Sequence, residues 1–132
     1  MQFHAPTGQP TDRESTVHLI DRQRPGWSLE QAFYADPAIF ALEQELWFPR
    51  QWVLVAHASE VPEKGSYIVR RLFNEEVIVA RFGDGEEDIA VYYNVCTHRG
   101  SRLCTKDGRG RLLVCPYHAW SFRLTGELQS RQ

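Results

Sequence analysis

Two short Cys–His pairs lie late in the chain and constrain its fold more than any other feature. The first is Cys96-Thr-His98, the second is Cys115-Pro-Tyr-His118, and residues 99–114 separate them. Each pair offers one soft thiolate and one imidazole, which are both metal-ligating groups. A chain that uses both pairs for one centre must hold two loops against each other, and the two ends of that centre differ chemically.

Three interpretations of this ligand set stay open at the level of the residues. Two His and two Cys form the ligand set of a 2Fe–2S centre in which imidazoles replace two thiolates on one iron. A tetrahedral zinc site also uses such a set, and would make the chain a zinc-stabilised binding module. Zinc fingers usually pair Cys with Cys and His with His across a hairpin and a helix, whereas no helix signal follows Cys115. The third interpretation is core Cys and surface His without any metal.

Helix signals are confined to the first part of the chain. Ser28-Leu-Glu-Gln31 has capping-box spacing, with Ser28 as the N-cap of a short helical turn through Tyr34. Asp36-Pro37 predicts a second helix start, with a helix near residues 37–48 that Pro49 ends. That helix carries an apolar stripe, which we interpret as core or interface: Ile39, Phe40, Leu42, Leu46 and Trp47.

The remainder of the chain predicts short strands, and therefore mainly antiparallel β-structure. The turn signal Gly83-Asp84-Gly85 separates two of them, and a strand leads directly into each Cys–His pair. Strand ends are rigid mounts for a metal site. The predicted strands are Trp52–Ala56, Tyr67–Phe73, Val77–Phe82, Ile89–Val95, Arg111–Val114 and Ser121–Leu124.

Composition limits the class of protein. The 132 residues are 42% hydrophobic and 24% charged, which is typical of one soluble domain, and no apolar run approaches a membrane span. Residues 1–24 are expected to form a flexible arm, since the N-terminal segment is polar and has no apolar signal core. If two of the three cysteines are ligands, no internal disulfide is possible. We therefore expect a reducing, cytoplasmic compartment and a Cys104 that packs as a small hydrophobe.

Charge is unevenly divided along the chain. Residues 1–95 hold 8 Lys/Arg against 15 Asp/Glu, whereas residues 96–132 hold 7 against 2. The basic part surrounds the two Cys–His pairs, so we interpret it either as a solvated face or as a surface that attracts an acidic redox partner. Nucleic-acid binding is not expected, because the basic residues cluster round a metal motif.

The two loops resemble those of a known family. Cys96-Thr-His98-Arg99-Gly100 and Cys115-Pro-Tyr-His118 are similar to the cluster loops of Rieske proteins, most of all the N-terminal domain of the α subunit of aromatic-ring-hydroxylating and related Rieske non-haem iron oxygenases. Residues 24–30 and 115–120 are similar to the branch that acts on quaternary ammonium compounds such as betaines, with Ala119 in place of the more usual glycine. Ser101 and Tyr117 stand where respiratory Rieske proteins carry bridging cysteines.

The resemblance implies a fold and a ligand assignment. The implied fold is mainly β: a Rieske-type antiparallel β-sandwich with a small cluster-binding subdomain and one N-terminal helix. The implied cofactor is a Rieske-type 2Fe–2S cluster, with Cys96 and Cys115 on one iron and His98 and His118 on the other. The residues expected round these ligands are Arg99, Gly100, Pro116, Tyr117 and Trp120, and no catalytic residue is assigned.

The resemblance also implies a function. Residues 25–132 would form a Rieske domain that delivers single electrons to an oxygenase acting on aromatic or quaternary ammonium substrates, or a free-standing Rieske-type ferredoxin. Residues 119–132 contain no His and only one acid, Glu127, so we expect the oxygen-activating mononuclear iron to be absent. The expected partners are a flavin or ferredoxin-type reductase and an oxygenase catalytic domain, in the same chain or a neighbouring subunit, within a homotrimer.

Overall fold

A computed structural model of the protein describes residues 13–131, and its fold is mostly antiparallel β-sheet with few helices. This confirms the predicted fold class, although the described residues contain three α-helices rather than one. The chain divides after Val53 into two compact units, a helical one and a β-rich one. Among residues 13–131, every helix is too short or too polar to cross a membrane.

The helical unit contains α1 (Arg13–Asp21), α2 (Ala32–Ala35) and α3 (Pro37–Leu46). Helix α1 lies within the predicted flexible arm, and none of its residues is buried. Residues 1–12 of that predicted arm lie outside the described part of the chain. The predicted cap of α2 is wrong: the N-cap is Gln31, which makes no side-chain capping bond, and Ser28 lies outside the helix.

Helix α3 begins as predicted and ends two residues earlier. The Asp36 side chain accepts a hydrogen bond from the Ala38 amide at 2.8 Å, and Pro37 occupies the first turn, where no amide hydrogen is needed. After Leu46 the chain tightens into a 3₁₀ turn, Phe48–Arg50, which contains Pro49. Of the predicted apolar stripe only Ile39 is buried, whereas Phe40 and Trp47 are about half exposed.

A four-stranded antiparallel sheet begins the second unit. Its strands are β1 (Ser66–Leu72), β2 (Glu75–Arg81), β3 (Ile89–Tyr93) and β4 (Gly108–Arg109), in the spatial order β3-β2-β1-β4. Strands β1, β2 and β3 are the predicted ones, and the predicted turn at Gly83-Asp84-Gly85 lies between β2 and β3. The two-residue strand β4 was too short to predict.

A three-stranded antiparallel sheet completes the unit. Its strands are β5 (Leu112–Val114), β6 (Ser121–Arg123) and β7 (Leu128–Ser130), in sequential order. The predicted strand at Trp52–Ala56 is wrong, because these residues pair with no strand and Trp52 and Leu54 are almost fully exposed. Apolar composition alone suggested that strand, and nothing in the described residues provides it with a hydrogen-bonding neighbour.

Strand β2 lies at the centre of the packing. Its residues Val77–Arg81 are all buried, because both faces of the strand are covered. Side chains alternate between two clusters: Ile78 and Ala80 pack with residues of the second sheet, including Leu113 and Phe122, whereas Val79 packs with a smaller cluster round Val61 and Ile68. Cys104 is 8% exposed and belongs to the first cluster, which confirms its predicted packing.

One ion-pair network fastens β1 to the segment before β4. Arg70 binds Glu60 at 2.7 Å and Asp107 at 3.1 Å, and Asp107 also accepts a hydrogen bond from the Val69 amide. The pKa of Glu60 is lowered first by Arg70 and then by the His57 amide. The pKa of Asp107 is lowered first by the Val69 amide and then by Arg70. The network therefore stabilises the fold only while both carboxyl groups are ionised.

Candidate metal centre

Each candidate loop is mounted on a different sheet of the second unit. The first loop, residues 96–101, follows β3 of the four-stranded sheet, and the second loop, residues 115–120, connects β5 to β6 of the three-stranded sheet. Cys96 and Cys115 are 1% and 3% exposed, and both belong to the core cluster between the sheets. Packing of the two sheets therefore brings the two loops together.

The two loops share one backbone design. In the first, the Cys96 amide donates to the Ser101 carbonyl at 2.7 Å, and the Gly100 amide donates to the Cys96 carbonyl at 2.9 Å. In the second, the Cys115 amide donates to the Trp120 carbonyl at 2.8 Å, and the Ala119 amide donates to the Cys115 carbonyl at 3.0 Å. Both loops thus close with bonds from residue i to i+5 and from i+4 to i, counted from the cysteine.

Both loops place their fifth residue in the left-handed region. Gly100 has φ +71° and Ala119 has φ +56°. This conformation costs an L-residue roughly 1–2 kcal/mol, and glycine avoids that cost. The second loop therefore bears backbone strain at Ala119.

The two thiols point toward each other within hydrogen-bonding reach, and backbone amides surround them. Burial raises the pKa of Cys96, against hydrogen bonds from the His98 and Arg99 amides that lower it. Burial also acts to raise the pKa of Cys115, but the Tyr117 and His118 amides, the Cys96 thiol and the Ser101 hydroxyl outweigh it, so this pKa is lowered. Each sulfur thus accepts from the amides two and three residues ahead, and these amides favour thiolate, although only at Cys115 do the favourable contacts outweigh burial.

The two imidazoles lie beside each other and are covered by aromatic rings. The ring centroids of His98 and His118 are 4.9 Å apart. Trp120 stacks on His98 at 4.4 Å with an interplanar angle of 4°, and Tyr117 lies against His118 at 3.8 Å. The guanidinium of Arg131 lies 5.3 Å from the Trp120 ring, on which it forms a cation–π contact.

The His98 imidazole is favoured in the neutral form that binds metal. The pKa of His98 is lowered first by burial and then by the charges of His118 and Arg99. His118 Nδ1 is buried and, within the part of the chain that the structure describes, makes no hydrogen bond. A buried ring nitrogen without a partner costs free energy unless another group satisfies it, and a metal ion is such a group.

The four side chains are arranged as two pairs, two thiols and two imidazoles. Within residues 13–131, no group of three or more His, Cys, Asp or Glu side chains is arranged to hold a single metal ion. A Rieske cluster takes two protein ligands on each iron. The paired arrangement, the amide-solvated thiols and the unpartnered His118 Nδ1 therefore fit a two-iron cluster.

The residues expected round the ligands have distinct roles in the structure. The Arg99 amide faces Cys96, while its side chain is exposed. Gly100 provides the left-handed turn, Tyr117 and Trp120 cover the imidazoles, and Pro116 occupies the exposed position after Cys115.

Sequence reasoning missed the residue that closes the base of the first loop. Asn94 is 2% exposed; its side chain accepts from the Leu103 and Cys104 amides at 3.1 and 2.9 Å, and donates to the Cys104 carbonyl at 2.6 Å. A further bond of 3.2 Å joins it to Glu76 on β2. The only sequence signal was its position two residues before Cys96, at the end of a strand.

Comparison with known proteins decides the family. A family model described as "Rieske [2Fe-2S] domain" matches residues 51–132, more than half of the chain. The chain belongs to the Rieske [2Fe-2S] domain family. Its cofactor is accordingly a Rieske-type 2Fe–2S cluster.

This Rieske chain is similar in sequence to the oxygenase subunits of several monooxygenases. The glycine betaine monooxygenase oxygenase subunit of Chromohalobacter salexigens is 41% identical over 117 residues, which is 88% of this chain and 26% of that protein. The carnitine monooxygenase oxygenase subunit of Escherichia coli K12 is 37% identical over 103 residues, 77% of this chain and 27% of that protein. The chain therefore spans about a quarter of the length of these relatives.

Solved structures of Rieske oxygenases share its fold. Naphthalene 1,2-dioxygenase from Rhodococcus sp. superposes with a TM-score of 0.71 at 33% identity, over 90% of this chain and 26% of that one. A quaternary ammonium Rieske monooxygenase superposes with a TM-score of 0.66 at 36% identity, over 76% of this chain and 28% of that one.

Proposed function

We propose that this chain transfers electrons one at a time through its Rieske cluster, with Cys96 and Cys115 on one iron and His98 and His118 on the other. The observation that carries this assignment is the pair of equivalent loops, which bring two buried thiols together and two imidazoles together. The buried Nδ1 of His118, which lacks a hydrogen-bond partner among the described residues, is the nitrogen that we assign as its ligand atom.

The surrounding residues suit one-electron chemistry. When bound, the cluster supplies a single-electron couple whose potential lies roughly between −150 and +300 mV because of its His ligands. The amides that face Cys96 and Cys115 offset negative charge on the sulfurs. Trp120 and Tyr117 cover the imidazole faces and so limit the access of water.

We further propose that the chain is the electron-delivering domain of a Rieske oxygenase. Its similarity to glycine betaine and carnitine monooxygenase subunits supports quaternary ammonium compounds as the substrate class, ahead of aromatic compounds. In this proposal residues 25–132 form the Rieske domain, and the oxygen-activating iron belongs to a catalytic domain in the same polypeptide or a neighbouring subunit of a trimer. The electron donor is a flavin or ferredoxin-type reductase, and the compartment is the cytoplasm.

Reductive titration tests the electron-transfer assignment. The chain, purified with its cluster, should take up one electron per molecule from dithionite, and the cluster absorbance should bleach in proportion. Cys96→Ser should abolish this signal, because a hydroxyl replaces a ligand thiolate. Cys104→Ser is the matched control: the same substitution, at another cysteine of the same hydrophobic core, should leave the iron–sulfur signal in place. Loss of the cluster in Cys104→Ser alone would contradict the ligand assignment.

Turnover tests the oxygenase assignment. The chain should be mixed with a reductase, reduced nicotinamide and glycine betaine or carnitine, with and without the catalytic portion of a related oxygenase. Demethylated or cleaved product should form only when the catalytic portion is present. Sustained product formation by the chain alone would contradict its role as the electron-delivering part.

A further inference from the structure

A cleft of about 850 Å³ opens at the end of the β-rich unit opposite the metal loops. Leu112 and Arg123 line it, and these two residues pair across β5 and β6 at the end of the hairpin farthest from the loop of residues 115–120. Phe82, which also lines it, follows β2 at the end where β3 begins, whereas Cys96 follows the other end of β3. The cleft is therefore separate from the candidate cluster site.

The rim of the cleft is basic. Among the described residues no acidic side chain lines it, and its four cationic residues come from three segments of the chain: Lys64 from one, Arg109 and Arg111 from the second, and Arg123 from the third. Arg109 forms an ion pair with Glu63, and Arg123 donates to the Gln129 side-chain oxygen at 2.6 Å. Within residues 13–131, the side chains of Lys64 and Arg111 are exposed and form no hydrogen bond or ion pair. Two unpaired cations thus face the same opening.

The floor of the cleft is apolar. Leu124 is buried in the hydrophobic core, Phe82 is half-buried against that core, and Leu112 is 38% exposed. A mainly apolar floor with a few charged groups at the edge is the usual composition of a small-molecule site, and the volume lies within the usual range for such sites. Like charges gathered round one opening repel each other, and an anion bound between them would offset that repulsion.

We propose that this cleft binds a small organic anion, in which a carboxylate, sulfonate or phosphate group is attached to a flat apolar body. The anionic group would lie between Lys64 and Arg111, and the apolar body would lie on Phe82 and Leu124. Quaternary ammonium groups are repelled by this rim, so glycine betaine and carnitine, which carry one beside their carboxylate, should bind here more weakly than a purely anionic ligand. The proposal is independent of the electron-transfer function.

Amide NMR of the full chain with its cluster tests the proposal. Gly65 and Gly110 line the cleft and are joined by a 2.9 Å backbone hydrogen bond, so their amide signals report on its occupancy. Naphthalene-2-carboxylate should shift both signals saturably. Inorganic phosphate and glycine betaine, at the same ionic strength, should bind at least about tenfold more weakly, because one lacks the apolar body and the other carries a repelled cation.

Charge-neutral variants separate a built site from general attraction. The double variant Lys64→Gln/Arg111→Gln should weaken naphthalene-2-carboxylate binding by about tenfold or more, since hydrogen bonds to charged groups are the stronger ones. The control Arg71→Gln/Lys106→Gln removes the same charge from exposed positions outside the cleft and should change affinity by no more than about twofold. Equal weakening in both variants, phosphate binding as tight as that of the naphthoate, or no saturable shift at Gly65 and Gly110 would each overturn the proposal. All four substituted side chains are exposed, so the variants should fold.

Discussion

Asn94, which precedes the first metal loop, should hold that loop in place by bonding to the backbone of Leu103 and Cys104, which follow it. Asn94→Ala removes one acceptor shared by the Leu103 and Cys104 amides and one donor to the Cys104 carbonyl. Because Asn94 and Cys104 are both buried, water replaces these bonds poorly. The segment from Asn94 to Cys104, which includes Cys96 and His98, would then lack its closing contacts.

The expected cost follows from the groups left without partners. Three backbone groups lose a bond: the amides of Leu103 and Cys104 and the carbonyl of Cys104. Each buried unsatisfied group costs about 1 kcal/mol, the lower end of the range, so the free energy of local opening of this segment should fall by about 3 kcal/mol. That corresponds to roughly a hundredfold change in an opening equilibrium. The remaining side-chain contact of Asn94, at 3.2 Å to Glu76, is part of a partly exposed network with Arg102 and should contribute less than about 1 kcal/mol.

Hydrogen-exchange mass spectrometry on the cluster-loaded chain measures this directly. In Asn94→Ala, amides of residues 95–104 should exchange up to about a hundredfold faster, and the cluster absorbance should decay faster at a fixed temperature. Glu76→Ala should have a much smaller effect, and Gln51→Ala, which removes an exposed amide side chain, should have none. Equal effects of Asn94→Ala and Glu76→Ala, or unchanged exchange in residues 95–104, would refute the reasoning.

Three further variants test particular features of the structure. Gly100→Ala should keep the iron–sulfur cluster and lower the free energy of unfolding by about 1–2 kcal/mol, measured by thermal denaturation, because an added Cβ meets no atom within 4 Å and Ala119 already has the equivalent conformation. Loss of the iron–sulfur cluster would show that the two loops are not equivalent. The Ser101 hydroxyl lowers the pKa of Cys115 and so stabilises negative charge on its sulfur. Ser101→Ala should therefore lower the reduction potential by up to about 60 mV in a redox titration, and a raised potential would contradict this. Arg70→Gln should lower the urea midpoint at neutral pH, and its difference from the unsubstituted chain should shrink below about pH 4, because the ion pairs need ionised Glu60 and Asp107, whose pKa values are depressed. A difference that persists in acid would exclude the ion-pair network as its source.

The strands that carry the metal loops were predictable because their patterns are local. Alternating or β-branched runs predicted β1, β2, β3, β5 and β6 to within a few residues. The same reasoning failed at Trp52–Ala56, where an apolar run remains exposed and unpaired. Composition reports that a segment can form a strand, whereas pairing depends on a neighbour distant in the sequence.

The candidate ligands were predictable for a similar reason, whereas the residues that position or stabilise them were not. Cys96, His98, Cys115 and His118 are recognisable because thiolate and imidazole are specialised metal-binding groups in fixed local spacing. Asn94 and Ser101 act on residues that the fold brings near: Asn94 bonds to Cys104, and the Ser101 hydroxyl lowers the pKa of Cys115 on the other loop. Ordinary Asn and Ser residues carry no sequence signal for such contacts.

The most direct test of the central claim is the nitrogen hyperfine spectrum of the reduced chain, recorded together with its iron and sulfide content. The proposed ligand set predicts two iron atoms and two acid-labile sulfides per chain. It also predicts couplings from two imidazole nitrogens, which change when histidine is labelled with ¹⁵N and fall to at most one in His118→Cys. A colourless zinc-containing chain, or a cluster spectrum without coupling to histidine nitrogen, would contradict the assignment of His98 and His118 as ligands.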